Sequence, residues 1–371
     1  MRLPSPLPSP APRGFAPLPL VLFLAAIGLL ALIPRGVDSP YALHVMILFF
    51  MAVNQGAAWN IVGGYTGQYS VGHSAFFGIG AYTTLMLLQF KQVPPWWGVW
   101  VAVMLAVAVG VVIGSITFRL RGPYFVLASI AVAEILRLIA LNWKDFTNGA
   151  EGILMTDVPP LKVGETVITD FLSKVPFFYA ALALAAITIA ANWIVQHTKL
   201  GYYFQAIRED QDAAHSLGIP LALYKNIALG LSSFLTAWAG AFYGLYVGFI
   251  DPNTVLTVEQ SVSMVLICII GGIGTIYGPV LGALVLVPLS EALRSNLIAE
   301  GLIKAGIMSE TSRAGMFLKE NLAHAHVLIY GILVVVVILY MPDGVMGFAK
   351  KLMRKRAPPA DAGAAPAQGA A

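Results

Sequence analysis

Charge is what this sequence has least of. Only 11% of its 371 residues are Asp, Glu, Lys or Arg, where a soluble domain carries about a quarter. With 58% hydrophobic residues and a mean hydropathy of +0.80, this excludes an ordinary water-soluble domain and points to a membrane protein. Cysteine is nearly missing. The lone Cys268 excludes an intrachain disulfide and a cysteine metal site, and it reads as a small residue inside an apolar run. Gly-Lys pairs are absent, so the glycine-rich stretch around Gly63 cannot be a P-loop, which needs Gly-Lys-Ser/Thr. ATP is therefore not hydrolysed here by that route. Neither a nucleophile with its base nor a metal-ligand set falls at helical spacing. His324 and His326, two residues apart, would point to different sides of a helix. An enzyme, a metal, a cofactor and a nucleic-acid partner are all unexpected.

What is present is a series of apolar runs. A membrane span needs about 20 mostly apolar residues, and ten stretches approach this: roughly 17–33, 41–62, 74–90, 96–118, 123–141, 176–196, 226–249, 258–275, 279–297 and 324–341. The fold class expected is all-α, a polytopic membrane helix bundle of about ten transmembrane helices. The first run follows a Pro-rich, weakly basic lead-in and has no small-residue cleavage site after it, so it reads as a retained helix rather than a signal peptide. Residues 1–16 are expected to form a disordered cytoplasmic tail, 17–349 the transmembrane domain, and 350–371 a basic then disordered cytoplasmic tail. The run Lys350–Arg356 marks a cytoplasmic helix end. An N-terminus inside leaves twelve Lys and Arg in cytoplasmic segments against eight outside and two near helix ends. Both termini are therefore expected in the cytoplasm, with loop 197–225 on that side.

That loop contains "GYYFQAIREDQDAAHSLGIPLALYK", Gly201–Lys225. Ala206–Leu217 lacks Gly and Pro, and Gly218 and Pro220 follow it, which predicts one helix of about three turns. Asp212, Ala213 and Ala214 fall near its middle. The small pair would let another protein approach closely, with Arg208, Glu209 and Asp210 as a polar rim. A solvated connector is the other reading.

Gly63, Gly64, Gly67 and Gly72 sit between two apolar runs. They serve either close helix packing or a broken, re-entrant helix lining a pathway, since irregular backbone at membrane depth must be buried or face water. In the second case Gln68, Tyr69, Ser70, His73 and Ser74 would supply polar contacts. His73 by itself reads better as a hydrogen-bonded packing residue than as a ligand. Glu134 with Arg137, and Glu291 with Arg294, each lie at i and i+3 on one helix face. They are either structural pairs or a polar lining of the outer mouth. The loop from Asn142 to Val175 is a surface connector or a contact for an outside partner.

Several stretches carry a resemblance. "DAAHSLGI" resembles the coupling-helix signature of ABC importer permeases, with Asp212 in place of the usual Glu, Ala213 and Ala214 as the pair, and Gly218 with Ile219 at the end. "AIREDQDAAHSLGI" is similar to the high-affinity branched-chain amino acid permease family, LivM type. "GGYTGQYSVGHSAFFGIGAY", "TNGAEGI", "AGAFYGLYVGFIDP" and "GGIGTIYGPVLGA" follow that family in order. The resemblance implies a coupling helix docked on an ATPase. It also implies a sister permease of LivH type, two ATP-binding subunits of LivG and LivF type, a periplasmic substrate-binding protein, and the bacterial inner membrane as location. It implies leucine, isoleucine and valine as cargo, while related permeases carry urea, amides or other amino acids. A secondary transporter coupled to protons through Glu134 or Glu291 is the reading from another class.

Overall fold

The computed structural model describes residues 17–37, 39–155, 161–163, 166–169 and 173–294, together with 331, 332, 335 and 344–347. In chain order its helices are α1 (Pro17–Leu32), α2 (Pro40–Asn60), α3 (His73–Lys91), α4 (Pro95–Thr117), α5 (Pro123–Asn142) and the short α6 (Lys144–Thr147). There follow α7 (Lys174–His197), α8 (Lys199–Glu209), α9 (Gln211–Ser216), α10 (Leu221–Val247), the short α11 (Pro252–Val255), α12 (Val258–Gly271) and α13 (Gly278–Arg294). Strand β1 (Ile153–Leu154) is joined later in the chain by β2 (Leu161–Val163), β3 (Thr166–Thr169) and β4 (Phe249–Ile250). β1 pairs antiparallel with β4, and β2 with β3.

Among the described residues six segments are long and apolar enough to cross a membrane: Pro40–Tyr65, Pro95–Thr117, Pro123–Asn142, Lys174–His197, Leu221–Val247 and Pro252–Gly271. The chain is thus a polytopic helical membrane protein. Each of the first nine apolar stretches read from the sequence carries a helix. The tenth, 324–341, lies largely outside the described residues, as do both tails. Proline at the first turn of α2, α4 and α5 starts each helix where its missing N–H costs nothing.

The helices pack as a bundle with α10 and α2 near its centre. α10 lies against α3 and α4, and α2 lies against α7, α12 and α13. α3 and α10 cross at glycines. A Cβ on Gly80 would lie 2.0 Å from the Ala237 carbonyl oxygen, and one on Gly240 would lie 1.9 Å from that of Phe77. Such contact between small residues gives two helices in lipid their van der Waals gain. Gly240→Val is therefore expected to eliminate monodisperse protein after solubilisation. Gly230→Ala, where the added carbon would meet only side chains at 3.9 Å, should elute as wild type in the same gel filtration.

Two expectations need correction. α10 begins at Leu221 rather than 226, so Lys225 belongs to a helix and not to the loop. It is 1% exposed; its ammonium donates to Gln211 Oε1 at 2.8 Å and stands 5.9 Å from the Phe118 ring centroid. Both contacts favour the charge in place of water. The single helix over 206–217 is in fact two, α8 and α9, broken at Asp210.

Candidate functional site

The break at Asp210 is a helix cap. Its backbone is extended, with φ −155° and ψ 115°, and its carboxylate accepts from the Asp212 N–H at 2.8 Å and the Ala213 N–H at 3.0 Å. Aspartate suits this position because its short side chain reaches the orphan donors of the first turn. At the other end Gly218, at φ +83°, closes α9 by a Schellman motif. The Ile219 N–H donates to the Ala214 carbonyl at 3.1 Å and the Gly218 N–H to that of His215 at 2.9 Å. A helix of under two turns is thus held at both ends. The hydrogen bond from Ala213, then that from Asp212, holds the Asp210 carboxyl below the usual carboxylate range.

A depressed folded pKa means the cap stabilises α9 above the unfolded value of about 3.9 and loses that contribution as pH falls through the folded one. Asp210→Ala is expected to speed amide hydrogen exchange across 212–217 at neutral pH. Asp210→Asn, which keeps an acceptor, should speed it less. Equal exchange in Asp210→Ala and wild type would contradict the cap.

α8 is anchored by one apolar face, Gly201, Phe204 and Ile207, all buried. Burying Phe204 and Ile207 contributes about 1.5–3 kcal/mol each. α9 leaves Asp212, Ala213, Gly218 and Leu217 exposed, with Leu217 at 81%; Ala214 is buried and Ile219 half-buried. Asp212 pairs with Arg121, just before α5, at 2.9 Å. Both side chains are more than half exposed, so the pair contributes at most about 1 kcal/mol. Glu209 is exposed as well. Arg208, read from the sequence as part of an outward rim, is exposed and also sends its Nη1 to the Gly64 carbonyl at 2.7 Å.

Gly63 and Gly64 lie in a π-turn, Ile61–Tyr65, that ends α2. A Cβ on Gly63 would strike the Trp59 ring, and one on Gly64 would lie 2.0 Å from Asn60 Oδ1. The chain then turns back into the bundle. Gly67 has φ +69°. Gln68 donates its backbone N–H to Val62 at 3.2 Å, and Trp59 Nε1 donates to the Ser70 carbonyl at 2.7 Å. A Cβ on Gly72 would lie 2.3 Å from the Ser129 carbonyl oxygen. The stretch 67–72 is thus irregular backbone packed against helices, with Gln68, Ser70 and Gly72 buried and Tyr69 exposed. The close approaches at Gly63, Gly64 and Gly72 are those of the packing reading.

His73 is fully buried at the start of α3. Its Nδ1 meets Ser70 Oγ at 2.9 Å and its Nε2 meets Ser232 Oγ at 2.8 Å. Ser232 commits its proton to the Ala58 carbonyl at 2.7 Å. Nε2 therefore donates and Nδ1 accepts from Ser70, a neutral ring tying α3 to α10 and α2. Ser74 takes its backbone N–H to Ser261 Oγ at 2.8 Å, while its own hydroxyl is buried with no hydrogen-bond partner among the described residues.

A buried polar ladder between α2 and α7 escaped the sequence reading. Asn54 donates to Thr188. Asn60 Nδ2 donates to Asn192 Oδ1 at 3.2 Å and to the Thr275 carbonyl at 3.1 Å, and Asn60 Oδ1 accepts from the Gly274 N–H at 2.9 Å. All four side chains are wholly buried. The signal available was Thr188 and Asn192 at i and i+4 facing two asparagines in another apolar run.

At the opposite end of the bundle, Arg137 grips both Glu134 oxygens and donates Nη1 to Asn253 Oδ1 of α11 at 2.7 Å. Glu291 is buried and accepts from the Tyr41 hydroxyl at 3.4 Å; the Arg294 side chain lies outside the described residues. "TNGAEGI" and "GFIDP" meet here through the β1–β4 pair, Ile153 opposite Ile250. A cavity of about 540 Å³ between α3, α4 and α5 is lined by Tyr82, Met86, Leu105, Leu136 and Trp143 among others. It touches none of the candidate residues and opens among exposed apolar side chains such as Phe90 and Ile139.

A bundle of long apolar helices with a doubly capped surface helix at one end and irregular backbone behind it defines the class, a multi-pass helical membrane protein. The family model described as "Branched-chain amino acid transport system / permease component" matches residues 41–338. The chain belongs to that family. It is similar to the high-affinity branched-chain amino acid transport system permease protein LivM of Escherichia coli, 28% identical over 77% of this chain and 72% of the relative. LivM of Salmonella typhimurium is 27% identical over the same shares. LivH of E. coli is 24% identical over 83% of this chain and 97% of its own length. No solved structure matches the chain significantly.

Proposed function

We propose that this chain is the permease subunit of an ABC importer that moves leucine, isoleucine and valine across the bacterial inner membrane. In this reading the chain has about ten spans and both termini in the cytoplasm, with α8 and α9 on the cytoplasmic side and the β1–β4 end in the periplasm. The partners are a sister permease of LivH type, two ATPases of LivG and LivF type, and a periplasmic binding protein that selects the cargo. The permease itself performs no chemistry; nucleotide hydrolysis belongs to the ATPases.

The observation that carries the reading is α9 in a chain of this family: a short helix capped at both ends, with small and apolar residues facing out. Binding energy at that surface can bias a two-state bundle only if the helix moves as a rigid body with it, and the two caps make α9 rigid. Of the two acids a proton-coupled transporter would use, Glu134 is held at both oxygens by Arg137, while Glu291 is buried and accepts from the Tyr41 hydroxyl. The cargo is tested by uptake of labelled leucine into vesicles containing the reconstituted complex. Excess isoleucine and valine are expected to compete and urea to leave uptake unchanged; competition by urea alone would move the assignment to an amide carrier.

A further inference from the structure

We propose that Arg208 is the positioning residue that carries movement of the α8–α9 segment into the membrane domain. It does so by holding together the end of α2, the irregular stretch 67–72 and the turn between α12 and α13. The inference rests on the function proposed above and names the residue through which docking at α9 acts.

Three backbones converge on this side chain. The Gly64 carbonyl, freed by the π-turn at the end of α2, accepts from Arg208 Nη1 at 2.7 Å. Gly274, in the turn after α12, has φ +74°, and a Cβ there would lie 2.3 Å from Arg208 Nη1 and 3.0 Å from the Gly64 carbonyl oxygen. Glycine is thus required at 274 both for its backbone and for the guanidinium to pass. Gly67, at the start of the irregular stretch, lies against the aliphatic stem: its Cβ would stand 3.2 Å from Arg208 Cγ. The Gly274 N–H in turn reaches Asn60 Oδ1 at 2.9 Å. Arg208 and the Asn60 ladder therefore meet at one junction.

Chain position makes the junction mechanical. Arg208 follows the buried anchor Ile207 and precedes by two residues the Asp210 cap that fixes α9. Arg208 gives α9 a direct side-chain link to Gly64 and Gly274, beside the contacts of α8 and α9 with α10. A guanidinium suits the task because its planar fork is preorganised.

The test uses the complete complex, with the sister permease, ATPases and binding protein, in lipid vesicles. Wild type is compared with Arg208→Ala, Gly274→Ala, their double variant and Ala213→Glu. The readouts are ATPase co-purification and the ratio of binding-protein-stimulated to basal ATP hydrolysis. Arg208→Ala should retain its ATPases, yet its stimulation ratio should fall at least about tenfold, the factor that about 1.4 kcal/mol of coupling represents. Gly274→Ala should match it, and the double variant should be no worse than either, because one junction is lost once. Gly274→Ala approaches the junction from the other side, so a folding failure of Arg208→Ala leaves the test standing.

Wild-type stimulation in Arg208→Ala or in Gly274→Ala overturns the proposal. So does loss of the ATPases from Arg208→Ala, which would make Arg208 part of the docking surface. Ala213→Glu complexes that keep their ATPases would instead sink the docking reading, whatever Arg208 does.

Discussion

Ala213→Glu is expected to abolish transport while leaving the permease folded. Ala213 is the third residue of α9 after the Asp210 cap, exposed, and its N–H is already bound by that cap. A glutamate here adds negative charge near a helix N-terminus, which favours the helix itself, so loss of function cannot come from loss of α9. What it adds is a long charged side chain where a partner surface must close on a methyl group. Binding of the ATPases should weaken at least about tenfold, or about 1.4 kcal/mol, and uptake should fall to background. Ala214→Glu makes the contrasting case. Ala214 is 2% exposed, so a carboxylate there would be buried without a partner and the α9 hairpin itself should lose order. Hydrogen exchange over 211–219 separates the two: unchanged in Ala213→Glu, accelerated in Ala214→Glu.

Asn60→Leu should destabilise the whole bundle. The side chain satisfies Asn192 Oδ1, the Thr275 carbonyl and the Gly274 N–H at once, in a place with no exposed area. Leucine has nearly the same size and offers none of these bonds. Interhelical hydrogen bonds in membranes are worth about 0.6–2 kcal/mol each, so three lost together amount to roughly 2–6 kcal/mol. Thermal unfolding of the purified protein should show this as a large drop in midpoint. Leu231→Val, at a half-buried apolar position of α10, should lower it far less. A midpoint for Asn60→Leu equal to wild type would mean that these bonds do not hold α2 to α7 and to the turn after α12.

The helices were legible because each apolar run is long, and because proline and glycine punctuate the starts of α5 and α13 and the end of α9. The division of the coupling segment was not. "REDQDAAH" contains no Gly or Pro, and an aspartate inside a run of helix formers looks the same whether it sits mid-helix or caps a new one. Only the turn of the chain over α10 decides for the cap. Lys225 was assigned to water because a charge beside an apolar run usually marks its end; here Gln211 and the Phe118 ring take the place of water. Arg208 is exposed, as its place on a polar rim implies, but the reach of its Nη1 to the Gly64 carbonyl is not legible in the sequence. The amphipathic phase of α8 is set by Gly201, Phe204 and Ile207, and the residue flanking such a face can point either way until tertiary packing puts Gly64 within reach. The Glu134–Arg137 pair, by contrast, needs only helical spacing, and it was visible in the sequence.

The proposed function requires ATPases docked on α9. The most direct test is affinity capture of the tagged chain from gently solubilised membranes, with mass spectrometry of what accompanies it, for wild type and Ala213→Glu side by side. The account predicts two ATPases and a second permease with the wild type, and loss of the ATPases with retention of the second permease in the variant. A wild-type chain captured alone, in a detergent shown to preserve other membrane complexes, would contradict it.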